Sequence, residues 1–280
     1  MGKEFTIVWQ RSRKELWEAD WVEYLFQNVP HRTIENLDHS KFIDNCILIE
    51  SIWWAPYHNA YVEKLAAKGY KFGLMHLSDE TLQTTIDSYK HCKFVVRNYF
   101  RKGMSSNVLQ VPLGYITGFA KDNFSFSSRK YTWSSVVGRW DPNRNTMAAA
   151  MSRVPNGSLY VAGRDGPSLS PSSMKERYQN AIFVPCPRGN YHIDSFRVTE
   201  ALEAGCIPVV EQSDYWREMH GENFPAIQVK DWSDAPGIIA SLIGSPLFLE
   251  ELRAKANEWW KDKKAKVVDQ VTDLVFSTMK

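Results

Sequence analysis

The sequence lacks most of the features that would give its class away at once. No apolar run in its 280 residues approaches the roughly 20 needed to cross a bilayer. The opening segment, MGKEFTIVWQ, lacks the apolar centre of a secretory leader. Four cysteines are scattered and none forms a CxxC pair, which excludes a disulfide framework and a thiol-redox motif. Three of them lie in or beside apolar strand-like runs, where cysteine serves as a small core residue. Seven histidines show no HExxH spacing, so no zinc site is expected. Neither charge sign dominates: 34 basic and 32 acidic side chains leave a net charge of +2, giving no global field for nucleic acid. The glycines never fall into GxGxxG; neither VVGRWD nor VAGRDG has the spacing, which argues against a dinucleotide-dependent oxidoreductase. No 20- to 50-residue repeat and no low-complexity tract is present. Gly2 and Thr6 fit the loose myristoylation pattern, but residues 5–9 read as a buried strand and no lipidation is expected.

What is present is an alternation of short apolar runs with amphipathic segments, the pattern of a βα repeat. Residues 5–9, 46–51, 71–77, 93–99 and 108–115 read as strands, with helices expected over 13–29, 57–68 and 79–91. Residues 118–131 turn polar and loop-like. A second alternation follows, with strands at 134–138, 158–163, 181–186, 206–210 and 226–229. Helices are expected at 142–153, 171–180 and 195–204, and from about residue 234 onward. Strands this apolar belong to parallel sheets covered on both faces. The expectation is an α/β chain of two Rossmann-like domains facing across a cleft at their strands' carboxyl ends. The first covers 1–120, the second 121–260, and a terminal helix at 261–280 packs back on the first.

The stretch DSFRVTEALEAGCIPVV, residues 194–210, carries the most chemistry. Asp194 or Ser195 can cap a helix whose free N–H groups and positive dipole end favour an anion such as a phosphate. Arg197 in the first turn can add a charge-assisted bond to that anion. Glu200, one turn on, can accept bonds from a pair of ribose hydroxyls. Gly205 ends the helix. Arg139 and Arg144, in the turn after strand 134–138, can add positive charge. A plain helix with a solvated arginine and glutamate would show the same periodicity.

The longer segment FVPCPRGNYHIDSFRVTEALEAGCIPVV resembles the carboxy-terminal motif of exostosin-like glycosyltransferases, with its P-x-G, D-S-x-R, E-A-L and G-C-I-P-V elements. Weaker likeness extends through VVGRWDPNR, HLSDE and RNYF…VLQVPLGY, about residues 70 to 230; the first 70 residues match no pattern we can name. The resemblance implies a GT-B fold and an inverting transfer of a sugar from a UDP-sugar donor to a glycan hydroxyl. It assigns Ser195 and Arg197 to the donor phosphates and Glu200 to the donor ribose. Gly189 and Tyr191, in the same motif, join the donor set. HLSDE looks closest to the xylosyl branch, which makes UDP-xylose the expected donor. The chain is much shorter than the animal exostosins and lacks their second transferase module. No DxD triplet occurs, so no essential metal and no cofactor beyond the co-substrate is expected. Cationic side chains and helix N–H groups would then neutralise the leaving diphosphate. The partners implied are a nucleotide sugar and a glycan acceptor, with no nucleic acid and no membrane span. The expected location is cytoplasmic, or the Golgi lumen for a trimmed ectodomain.

An inverting transfer needs a base for the acceptor hydroxyl, expected from the first domain. Asp79, then Glu80 and His76, follow the end of an apolar strand; Glu50 is a rival on the neighbouring run. Ser78 could equally cap a helix with Asp79 and Glu80 in its first turn. Trp53, Trp54 and Tyr57 could stack on an acceptor sugar, and Arg97 could contact it or form a structural ion pair. EWWKDKKAK, residues 258–266, reads as a solvated helix face. A carbohydrate-binding protein without turnover is the alternative reading.

Overall fold

The computed structural model describes residues 4–10, 12–36, 43–51, 59–84, 86–119, 129–138 and 142–279. The chain divides into two compact units, residues 1–112 with 264–280, and residues 113–263.

Unit 1 contains β1 (Phe5–Trp9), α1 (Ala19–Leu25), β2 (His31–Ile34), β3 (Cys46–Ser51), α2 (Asn59–Ala67), β4 (Phe72–Leu77), β5 (Phe94–Arg97) and β6 (Val108–Gln110). They form one parallel sheet in the order β2-β1-β3-β4-β5-β6. Its middle strands, FTIVW, CILIE, FGLMHL and FVVR, are buried along their length, as parallel strands covered on both faces must be. On one side Val8, Leu48, Leu74 and Val95 pack with Tyr61, Val62 and Leu65 of α2. β2 was not expected, because HRTI has no apolar pattern; it is the half-buried edge strand, where polar residues are tolerated.

Unit 2 contains β7 (Tyr131–Gly138), α3 (Pro142–Met151), β8 (Gly157–Ala162), α4 (Pro171–Gln179), β9 (Ala181–Pro185), α5 (Phe196–Glu203), β10 (Ile207–Glu211), α6 (Asp214–His220), β11 (Ile227–Val229), α7 (Ala235–Ile243) and α8 (Pro246–Thr278). Its parallel sheet runs β11-β10-β9-β7-β8. Met147 and Met151 of α3, Phe183, Ile207 and Val209 of the sheet, and Ile239 of α7 share its core.

Four expectations need correction. The helix expected over 79–91 is absent. Ser78 and Leu82 take positive φ of 67° and 55°, and only a 3₁₀ turn at Asp87–His91 follows. The reason is local: Asp79 accepts bonds from the Thr84 amide and hydroxyl, giving the backbone an alternative to a helical first turn. The long first helix shrinks to a turn at Arg13–Glu15 and the seven-residue α1. The unit boundary falls at 112/113 instead of 120/121, because residues 114 and 116 are tied to α5. The expected terminal helix at 261–280 is the end of the 33-residue α8. Its residues from 264 onward belong to unit 1, where Lys264 lies over the Tyr24 ring and Phe276 meets Phe5 edge-on. No single helix among the described residues is long and apolar enough to span a membrane.

Candidate functional site

In unit 2, β9 runs into a polar loop that delivers the chain to α5. Both ends of that helix are anchored. At its carboxyl end Gly205 takes φ +66°, the left-handed conformation that ends helices at least cost in a residue without Cβ. The Arg129 guanidinium donates to the Ala204 and Gly205 carbonyls at 3.0 and 2.9 Å, and to Ala181 O at 2.6 Å. Along the helix, Thr199 Oγ1 donates to Gly114 O, and the Ile116 amide points at Glu200 Oε1 at 3.4 Å.

The loop before α5 is held by its own polar groups. Gly189 N donates to His192 O at 2.8 Å, and Asp194 N to His192 Nδ1 at 3.0 Å. Asp194 is fully buried; its carboxylate accepts from Ser195 N at 2.8 Å and from Tyr215 OH at 2.7 Å. Burial pushes its pKa up to about 7 against the pull of those two bonds. Asp194 is therefore a strut of the loop. Ser195 occupies the N-cap position in extended conformation, yet its hydroxyl does not cap α5. Ser195 Oγ is buried and has no hydrogen-bond partner among the described residues.

Arg197 Nη2 donates to the carbonyls of Pro187 and Arg188 at 3.0 and 3.2 Å, while its buried Nε has no partner among the described residues. Arg144 Nη2 donates to Asn190 Oδ1 at 2.9 Å, and its Nη1 to Gly138 O at 3.3 Å, joining the loop to the β7–α3 turn. Arg144 also lines a cavity of about 280 Å³ with Gly138, Asn145, Val161 and Arg164, at the carboxyl ends of β7 and β8. Glu200 is buried and its pKa rises to about 7, chiefly from burial, with the Ile116 amide and the Arg197 charge opposing.

Of the expected donor residues, Arg144, Gly189, Ser195, Arg197 and Glu200 thus belong to one loop-and-helix assembly of unit 2. Tyr191 sits on the same loop, 67% exposed. Arg139 lies outside the described residues. The assembly offers an anion the first N–H groups of α5, a buried hydroxyl and a guanidinium, with a carboxylate one turn away.

Unit 1 treats its expected residues differently. Arg97, 0% exposed, donates to Asp79 Oδ2 at 2.9 Å and to Tyr89 OH at 3.3 Å. Asp79 Oδ1 accepts from Thr84 Oγ1 at 2.7 Å, and His76 Nδ1 is hydrogen-bonded to Tyr89 OH. Both oxygens of Asp79 are engaged inside the core, and Arg97 is its ion-pair partner with no surface to offer an acceptor. Glu80 is half-buried, its amide donating to Ser78 O at 2.8 Å. Trp53, Trp54 and Tyr57 lie outside the described residues. Glu50, at the end of β3, is buried with its pKa raised to about 8 by burial, and Gln10 Nε2 donates to it at 3.2 Å.

A second polar group lies here, Glu18, Ser51, Ser78 and Asn98, of which sequence reasoning weighed only Ser78, and that as a helix cap. Ser51 closes β3, while Ser78 and Asn98 directly follow β4 and β5, so adjacency to apolar runs could have found those three. Nothing in the helix-like pattern around Glu18 marks it.

Two parallel-sheet α/β units in one chain place the protein in the GT-B class of fold. No protein-family model and no curated protein matches the sequence. Solved structures do. Anabaena HepE in complex with UDP superposes with a TM-score of 0.62 at 9% identity, covering 98% of this chain and 100% of that one. T4 phage BGT in complex with its UDP-glucose substrate gives 0.56 at 12% identity, covering 98% and 99%. TarM gives 0.52 at 11% identity over 83% of this chain, which spans only 55% of TarM. At such identities the likeness is one of fold.

Proposed function

We propose that the protein is a glycosyltransferase that moves a sugar from a UDP-sugar to a hydroxyl of a glycan acceptor, with inversion and without an essential metal. UDP-xylose is the donor we favour, on the resemblance of HLSDE to the xylosyl branch of the exostosin-like family. The observation that carries the reading lies at the start of α5: Ser195 Oγ and Arg197 Nε are buried without a hydrogen-bond partner among the described residues. A buried polar group without a partner is costly, so a partner from outside the chain is the economical explanation. A nucleoside diphosphate fits it. The phosphates would take the α5 N–H groups, Ser195 and Arg197, and the ribose hydroxyls would take Glu200. Arg144 would add charge on the same loop. As the sugar–phosphate bond breaks, these donors stabilise the departing diphosphate. HepE and T4 phage BGT, whose fold this chain shares, were seen with UDP and UDP-glucose.

The test is a thermal-shift series with UDP, UDP-xylose, UDP-glucose, UDP-glucuronate and NAD, with and without EDTA. UDP at one hundred times its Kd should stabilise the protein by about 2.7 kcal/mol, and the shift should survive the chelator. Stabilisation by NAD alone would remove the transferase reading, and loss of the UDP shift in EDTA would remove metal independence.

A further inference from the structure

Glu18 is 1% exposed, and no cation among the described residues contributes to its charge environment. It stands at the N-cap position of α1 without capping that helix. Its carboxylate instead accepts a bond from Ser78 Oγ at 2.9 Å. Ser78 Oγ lies 3.0 Å from Ser51 Oγ, and the Ser78 amide donates to Asn98 Oδ1 at 3.1 Å. Both serines are half-buried, so the chain of groups runs from the interior to a reachable hydroxyl. Ser78 holds this place at φ +67°, a conformation that costs a non-glycine residue energy and persists where its surroundings impose it. The group sits at the carboxyl ends of β3, β4 and β5, the end of a parallel α/β sheet where ligands bind.

Resting on the transferase reading above, we propose that Ser78 contacts the acceptor sugar's reacting hydroxyl and relays its proton to Glu18. As the acceptor oxygen bonds to the anomeric carbon, the bond from that carbon to the β-phosphate oxygen breaks and its electron pair leaves with UDP. The acceptor proton passes to Ser78 Oγ, and the Ser78 proton passes to Glu18 Oε1. Ser78 is the group that touches substrate; Glu18 acts through it as a positioning residue and proton sink. Burial raises the Glu18 pKa, and the bond from Ser78 opposes it. A buried carboxylate is a better proton acceptor than a solvated one. The other ionisable groups at these strand ends are Glu50 on β3, His76, Asp79 and Glu80 at β4 and Arg97 on β5; Glu50 takes a bond from Gln10, His76 pairs with Tyr89, and Asp79 pairs with Arg97.

The test measures UDP release from UDP-xylose, UDP-glucose, UDP-galactose and UDP-glucuronate. Methyl xyloside, glucoside, galactoside and mannoside serve as acceptors, at high enzyme concentration from pH 5 to 9. Glu18→Gln should lower acceptor-dependent release at least 100-fold and abolish the rise of kcat/KM with pH, while the UDP melting shift stays as in wild type. Glu18→Asp should restore part of the rate, and Glu50→Gln should keep the pH limb. Ser78→Gly accepts the positive φ, should fold, and should lose at least tenfold. Turnover within threefold of wild type in Glu18→Gln, or UDP release unchanged in Ser78→Gly, overturns the relay. Absence of UDP release by wild type with every probe, despite a UDP melting shift, also overturns it. Absence of the UDP shift itself strikes the donor reading instead.

Discussion

The two units build the same parallel sheet and treat the polar residues at its carboxyl ends in opposite ways. In unit 1, Asp79 pairs with Arg97, Arg97 donates to Tyr89 OH, and His76 Nδ1 is bonded to that same hydroxyl inside the core. In unit 2, Ser195 and Arg197 keep buried polar atoms without partners among the described residues. The lesson is that a charged residue after an apolar strand is not by itself a site. What matters is whether its hydrogen-bonding capacity has already been used by the chain.

Removing the guanidinium from the closed network should have the largest effect. Arg97→Ala leaves the Asp79 carboxylate buried without its cation and should cost about 3–5 kcal/mol in urea unfolding. A loss below 1 kcal/mol would mean the pair is not the core element described here. Arg197→Ala should do the reverse. Folding stability should fall by only about 1–2 kcal/mol, the worth of the bonds to the Pro187 and Arg188 carbonyls, while UDP affinity, followed by calorimetry, weakens by about 1.5–3 kcal/mol, or roughly 10- to 150-fold. An unchanged affinity would erase the contrast between the units.

Glu200 sharpens the comparison through pH. Burial raises its folded pKa to about 7 from 4.5, so the neutral acid stabilises the fold at low pH and that contribution is lost as pH climbs through about 7. Glu200→Gln does not titrate. Its stability should therefore gain on wild type between pH 5 and 8, on the order of 1–3 kcal/mol by thermal melts. UDP binding should show the opposite slope in wild type, weakening below about pH 7 as the ribose-accepting carboxylate is protonated. A flat difference between the two proteins would show that Glu200 is ionised throughout this range.

The smallest expected effect is the most discriminating. Replacing an N-cap serine by alanine ordinarily costs about 0.5–2 kcal/mol. Ser195 does not cap α5, so Ser195→Ala should leave apo stability within about 0.5 kcal/mol while weakening UDP binding by about 0.5–1.5 kcal/mol. A normal capping loss in the absence of UDP would mean that the hydroxyl serves the helix and not a ligand.

The order of strands and helices was legible because burial leaves a periodic mark: FTIVW, CILIE and FVVR can only be covered on both faces, and Gly205 ends α5 where a left-handed residue is needed. In the 194–210 stretch, the helix with its arginine and glutamate one turn apart was a local fact, whereas the expected side-chain cap is absent, since the Ser195 hydroxyl does not cap α5. What the sequence could not determine is which polar groups face each other across long separations. Asp79 meets Arg97, 18 residues away, because parallel strands bring distant carboxyl ends side by side, and Glu18 at the start of α1 meets Ser78, 60 residues away. Tertiary structure alone decided that Asp79 is spoken for and that Ser195 is not. Hydrogen bonds between side chains are set by distances of about 3 Å, and only the folded sheet fixes distances on that scale.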